Sequence, residues 1–264
     1  MLKIALLENI HPAASTLFRH QGFDLIQTHM GALEGQALRD VLKDVHVLGI
    51  RSKTDINIED LAAAPNLQAI GCFCIGTDQV DLAAAQARGI PVFNAPYANT
   101  RSVAELVIGE IIMLMRRVPE KNAAAHRGEW QKAIDGACEV RNKVLGIVGY
   151  GHIGTQLSVL AESLGMRVIF YDIVDKLALG NAQKALSLDD VLTQADVVSL
   201  HVPATPETEN MIHTAALKRM KPGGFLINAS RGTVVDLNAL AHALKERHLA
   251  GAAIDVYPIE PSNK

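Results

Sequence analysis

The sequence predicts an α/β protein made of two doubly wound parallel-sheet domains, and three observations carry that reading. Short apolar runs alternate with helix-period segments through the first hundred residues and again in the second half. A long apolar stretch of helical spacing, "TRSVAELVIGEIIMLMRRVPEKNAAAHRGEW", interrupts the alternation and marks a domain boundary. A glycine-rich turn stands between a strand and a helix of the second series.

In order, the first series reads "KIALLE" as a strand and "AASTLFRHQG" as a helix closed by glycine. Strand "DLIQTH", helix "ALRDVLKD", strand "VHVLGIRS" and helix "IEDLAAAP" follow. Strand "LQAIGCF", helix "DLAAAQARG" and strand "IPVFNAP" complete it. In the connecting stretch Ser102 and Glu105 form S-x-x-E, which predicts a capping box at the helix start. Pro119 is expected to kink or end that helix. The second series has strands "KVLGIVG", "RVIFYD", "DVVSLHVP", "GGFLINAS" and "AGAAIDVY". Its helices include "TQLSVLAESLG", "SLDDVLTQA", "TAALKRM" and "LNALAHALKER".

Composition excludes several classes. An apolar share of 49% supports a packed core rather than disorder. A net charge of −3 lacks the basic excess of a nucleic-acid binder, and no apolar run approaches a membrane span. Three cysteines, Cys72, Cys74 and Cys138, make no disulfide framework, so a reducing cytoplasm is the expected setting. Cys72 and Cys74 read as small packing residues, with no second ligand pair at metal-binding spacing.

The strongest local motif is "GYGHIG", with Gly149, Gly151 and Gly154. It follows "KVLGIV", opens a helix, and precedes Asp172 by eighteen residues, counted from Gly154. That context suits a dinucleotide: tight turn, close backbone approach to the pyrophosphate, close helix packing, and a helix N-terminus toward the phosphates. Asp172 accepts from ribose hydroxyls and repels a 2′-phosphate, which favours NAD, although Arg167 and Lys176 are near in sequence. Flavin and S-adenosylmethionine proteins also use glycine loops.

Ligands of such sheets bind beyond the strands' carboxyl ends. "NASRG" places Arg231 there, "IDVYPIEP" places Asp255 and Glu260, and "IRSKT" places Arg51, Ser52 and Lys53. An arginine fork suits a carboxylate or 2-oxo acid, and Arg51 with Lys53 suits a second anionic group. Each taken alone has the ordinary alternative of a solvated charge.

These loops carry a resemblance over essentially the whole chain. "RSKT", "AIGCFCIGTDQVDL", "GIPVFNAPYANTRSVAELVIGE", "LGIVGYGHIGTQL", "LHVPATPET", "MKPGGFLINASRGTVVD" and "HLAGAAIDVYPIEP" resemble the D-isomer-specific 2-hydroxyacid dehydrogenases, on the branch that acts on 3-phosphoglycerate. The resemblance implies a flavodoxin-like substrate domain at 1–97, incomplete at its C-terminal return, and a Rossmann NAD-binding domain at 98–264. It implies NAD-dependent oxidation of 3-phosphoglycerate to 3-phosphohydroxypyruvate, the first step of serine synthesis, with 2-oxoglutarate reduction as a side activity. The family's catalytic arginine falls on Arg231 and its acid on Glu260. Cofactor positions fall on His152, Ile153, Asp172, Ala229, Ser230, Arg231 and Asp255, beside the three glycines. Substrate positions fall on Arg51, Ser52, Lys53, Gly76 and Thr77. No metal is implied. The family also implies a homo-oligomer through the NAD-binding domain, with Lys132 of the Trp130–Lys132 loop reaching a partner's site.

The family's glutamate pairs with a histidine in a later proline-histidine-isoleucine-glycine-glycine motif, and none of the ten histidines here follows Glu260. The expectation is a chain that stops before this histidine and before any serine-sensing domain, binding NAD better than it turns over substrate. The competing class is an NAD-sensing binding module of corepressor type, since dinucleotide binding needs no general base.

Overall fold

The computed structural model of the chain describes residues 1–132 and 135–259. It divides into two compact units, Met1–Asn99 and Thr100–Lys264. The first runs β1 (Ile4–Leu6), α1 (Pro12–His20), β2 (Ile26–Thr28), α2 (Gly35–Leu42), β3 (Val47–Ile50), α3 (Ile58–Ala62), β4 (Ala69–Cys72), α4 (Leu82–Ala87) and β5 (Val92–Asn94). Its strands pair in parallel in the order β2-β1-β3-β4-β5. Alternate residues of β1 serve opposite faces, as period 2 requires. Ile4 and Leu6 pack with Phe18 of α1, while Ala5 joins Leu38, Leu42, Leu61 and Ala85 of α2, α3 and α4. Cys72 lies in that second core, where burial pushes its thiol up to about 11, a packing role.

The second unit opens with α5 (Thr100–Met115) and α6 (Val118–His126). It continues with β6 (Val144–Val148), α7 (His152–Ser163), β7 (Arg167–Tyr171), β8 (Gln183–Lys184), α8 (Leu188–Gln194) and β9 (Val197–Leu200). Then come α9 (Thr214–Arg219), β10 (Gly224–Asn228), a 3-10 turn (Gly232–Val234), α10 (Leu237–Lys245) and β11 (Leu249–Ile254). The parallel order is β11-β10-β9-β6-β7-β8, with the order reversing at β6. Leu145, Ile147 and Ile227 face a core shared with Val107 and Ile111 of α5 and Leu157 of α7. Val198, Leu200 and Leu226 face the other, with Leu192, Leu217 and Leu240. Each of these fully buried aliphatic side chains contributes about 2 kcal/mol. Both sheets are therefore parallel and doubly wound, as the alternating pattern predicts.

Two local expectations are corrected. Helix α5 begins at Thr100, so Ser102 lies inside it rather than capping it, and Glu105 accepts from Arg101 Nε at 2.5 Å. A capping box does form at α3, where Asn57 accepts from Asp60 N–H and Asp60 accepts from Asn57 N–H. Pro119 does not end α5. The break comes earlier, at Arg117 in the left-handed region (φ 56°), and Pro119 sits in the first turn of α6, where a missing N–H costs nothing. The edge strand β8 is not readable from sequence, because two residues carry no alternation.

Candidate functional site

The glycine turn follows β6, which is buried at all five positions. Gly149 has φ +92°, and a Cβ there would stand 2.3 Å from the His201 carbonyl oxygen. A Cβ on Gly154 would stand 2.3 Å from the Gly149 carbonyl oxygen. Both are glycine because backbone packs against them. Gly151 differs: nothing lies within 4 Å of the Cβ it lacks. It opens α7 with no side chain of its own to cap the helix. An open cradle at the positive end of a twelve-residue helix fits a dinucleotide pyrophosphate. His152 is exposed and Ile153 half-buried on the first turn of that helix.

Asp172 follows β7 and fixes this turn. Its Oδ2 accepts the Tyr150 N–H at 2.7 Å, and its Oδ1 accepts the Val174 N–H at 2.8 Å. Each oxygen retains a lone pair for a ribose hydroxyl. Tyr150 is buried, stacks on Phe170 with centroids 3.7 Å apart, and bonds through its hydroxyl to Ser158 Oγ at 2.8 Å. Arg167 sits at the amino end of β7, about 16 Å along the strand from Asp172, so it does not offset the carboxylate. We expect Asp172→Ala to weaken NAD binding about tenfold and to narrow its advantage over the 2′-phosphorylated dinucleotide, read by fluorescence titration of both reduced forms.

The arginine loop follows β10. Asn228 is fully buried; its Nδ2 donates to the Arg231 carbonyl at 2.9 Å, and its Oδ1 accepts from Ser230 N–H and Oγ at 3.1 and 2.8 Å. Its carbonyl takes the Asp255 N–H at 3.0 Å, which ties this loop to the end of β11. Gly232 is the contact point, because a Cβ there would lie 2.0 Å from the Tyr257 carbonyl carbon. Ala229, Ser230, Arg231 and Asp255 thus gather in one unit, at the same sheet edge as the glycine turn. Glu260 lies outside the described residues.

Two groups beside this edge escaped sequence reasoning. Burial pushes the Glu110 carboxyl up to about 7, and Asp255 adds to the shift. Glu110 Oε2 is buried and has no hydrogen-bond partner among the described residues. The folded state holds this proton above the unfolded value of 4.5, so stability is full below that pH and is lost as pH rises through about 7. Thermal melts should show Glu110→Gln matching the parent at pH 5 and exceeding its Tm at pH 8. His201, after β9, bonds Ser199 Oγ at 2.8 Å, and burial lowers its pKa to about 4. It is therefore neutral at neutral pH and a weak base.

In the first unit, Arg51, Ser52 and Lys53 follow β3 and are exposed. Gly76 and Thr77 follow β4 and are half-buried. Gln79 Nε2 donates to the Arg51 carbonyl at 2.6 Å and to Cys74 Sγ at 3.3 Å, and Cys74 Sγ donates to the Gly76 carbonyl at 3.2 Å. No cluster of His, Cys, Asp or Glu groups suited to a metal ion occurs among the described residues, and no helix among them is long and apolar enough to cross a membrane.

Residues 108–264 match the family model for the D-isomer specific 2-hydroxyacid dehydrogenase, NAD binding domain. The chain is 57% identical over 262 residues to D-3-phosphoglycerate dehydrogenase of Haemophilus influenzae and 58% identical over 261 residues to that of Escherichia coli. Each match covers 99% of this chain, and the chain spans 64% of the length of these relatives. Among solved structures, a Thermus thermophilus protein superposes with a TM-score of 0.89 at 33% identity, covering 99% of this chain and 85% of the other. D-lactate dehydrogenase from Aquifex aeolicus, complexed with NAD and lactic acid, superposes with a TM-score of 0.88 at 27% identity, covering 97% and 77%.

Proposed function

Because the chain belongs to the D-isomer specific 2-hydroxyacid dehydrogenase family, we propose that it serves the NAD-dependent oxidation of D-3-phosphoglycerate to 3-phosphohydroxypyruvate, the first step of serine synthesis. Reduction of 2-oxoglutarate is a side activity. The observation that carries this reading is the arginine loop and the open glycine turn on one sheet edge, in a chain 57% identical to a D-3-phosphoglycerate dehydrogenase.

Bound NAD supplies the hydride acceptor. Gly151, His152 and Ile153 hold its phosphates, Asp172 its ribose, and Asp255, with Ala229 and Ser230, its nicotinamide end. Arg231 takes the substrate carboxylate and the oxygen on C2, whose charge changes during transfer. Glu260 orients the imidazole that takes the hydroxyl proton in this family and balances its charge. Arg51, Ser52 and Lys53 take the distal phosphate, and Gly76 and Thr77 present backbone N–H groups to the carboxylate. The test is NADH oxidation by the full-length protein with 3-phosphohydroxypyruvate; NAD binding without turnover of any 2-oxo acid would refute the activity.

A homo-oligomer through the second unit also belongs to this proposal. Leu106 and Met113 on α5, each 41% exposed, and Trp130, 86% exposed, support it. Met113→Asp should shift the sedimentation coefficient toward the monomer; an unchanged value would refute this surface. Lys132 is proposed to reach a partner's site.

A further inference from the structure

We propose that Glu8 is a positioning residue for substrate recognition: its carboxylate clamps the backbone of the Arg51–Lys53 loop in the shape that presents those side chains to the substrate phosphate. The inference rests on the reading above that Arg51 and Lys53 take that phosphate.

Glu8 follows β1 at the carboxyl edge of the first sheet. Its backbone is left-handed, φ 57°, as is that of Asn9 at φ 51°. Glycine or asparagine ordinarily takes such a position, so a glutamate there is over-determined by its surroundings. The main chain is pinned by the Glu8 N–H to the Gly31 carbonyl and the Asn9 N–H to the His29 carbonyl, both 3.0 Å. The side chain is 7% exposed and turns into the loop after β3. Oε1 accepts the N–H of Arg51 at 2.9 Å and of Thr54 at 3.0 Å; Oε2 accepts the N–H of Lys53 at 3.0 Å.

Three amides of one tight loop therefore converge on one buried carboxylate. Such a nest of N–H groups would itself attract an anion. Filled from within by Glu8, it leaves external anions to the exposed side chains of Arg51, Ser52 and Lys53. Gln79 holds the same loop from its carbonyl side, at Arg51. Asn94 Nδ2 donates to the Ile75 carbonyl at 2.7 Å and steadies the neighbouring Gly76–Thr77 segment. A carboxylate is required because it offers two acceptor oxygens and no donor. Glutamine would set an NH₂ against at least one of the three N–H groups.

The test compares full-length parent and Glu8→Gln in reducing 3-phosphohydroxypyruvate and hydroxypyruvate, which lacks the phosphate. The expected result is a KM for the phosphorylated substrate raised about tenfold, with kcat and the hydroxypyruvate kinetics within about twofold. Added to Arg51→Ala, Glu8→Gln should cost less than about a further twofold, because it acts through that residue. Equal loss on both substrates, or no loss on either, overturns the proposal. If Glu8→Gln does not fold, Gln79→Ala carries the same test, with an expected rise of about threefold confined to the phosphorylated substrate and the same overturning results. A parent enzyme that does not prefer the phosphorylated substrate overturns the assignment of Arg51 and Lys53, and this proposal with it. A preference that Glu8→Gln leaves undiminished overturns this proposal alone.

Discussion

Arg231→Lys should lower kcat/KM for 3-phosphohydroxypyruvate by about 10³-fold while leaving the NAD dissociation constant within about twofold. The guanidinium presents a planar donor fork that matches a carboxylate and an adjacent oxygen together, and an ammonium presents one point charge. The guanidinium donates to the Ser230 carbonyl at 2.9 Å, but the loop has other holds as well. Asn228 holds the Arg231 carbonyl and the Ser230 N–H, and Gly232 packs under Tyr257 and Pro258. Lysine should therefore keep the backbone and lose the fork. Steady-state kinetics with NAD titration separates the two. A parallel loss of NAD affinity would mean that Arg231 supports the cofactor rather than the substrate.

Gly149→Ala and Gly151→Ala should fail in opposite ways. At Gly149 the new methyl meets the His201 carbonyl at 2.3 Å on a backbone with φ +92°. That combines overpacking with conformational strain and should cost about 3 kcal/mol of stability or more. At Gly151 the methyl meets nothing within 4 Å. The protein should fold with an unchanged Tm and bind NAD about 100-fold more weakly, because the methyl would occupy the space proposed for the pyrophosphate. Denaturant melts and NAD titration on the two variants check this. A Gly151→Ala protein that keeps its NAD affinity would place the phosphates elsewhere.

What could be read from the sequence follows from what has a local signature. Parallel strands buried on both faces leave apolar runs, and helices between them leave a 3.6-residue period, so the two sheets were legible. The candidate loops were legible because strand ends in such a sheet collect on one edge. What was missed depends on contacts far apart in sequence. Glu8 reaches Arg51 across 43 positions, and nothing near Glu8 marks it as more than a strand-end charge. Asn228 looks like an ordinary residue of "LINAS" until its amide is seen holding the loop on Arg231. Glu110 sits in an apolar helix where a charge suggests an outward face, yet one of its oxygens is buried. The start of α5 was misplaced because S-x-x-E recurs inside helices, where Arg101 competes for Glu105. The break at Arg117 was credited to Pro119 because left-handed backbone at a non-glycine residue leaves no trace in sequence.

The most direct measurement is NADH oxidation by the full-length protein, with 3-phosphohydroxypyruvate, 2-oxoglutarate and hydroxypyruvate side by side. The expected result is turnover of all three with the highest kcat/KM for the phosphorylated acid, abolished by Arg231→Ala. NAD bound tightly with none of the three reduced would contradict a dehydrogenase and leave a dinucleotide-binding module in its place.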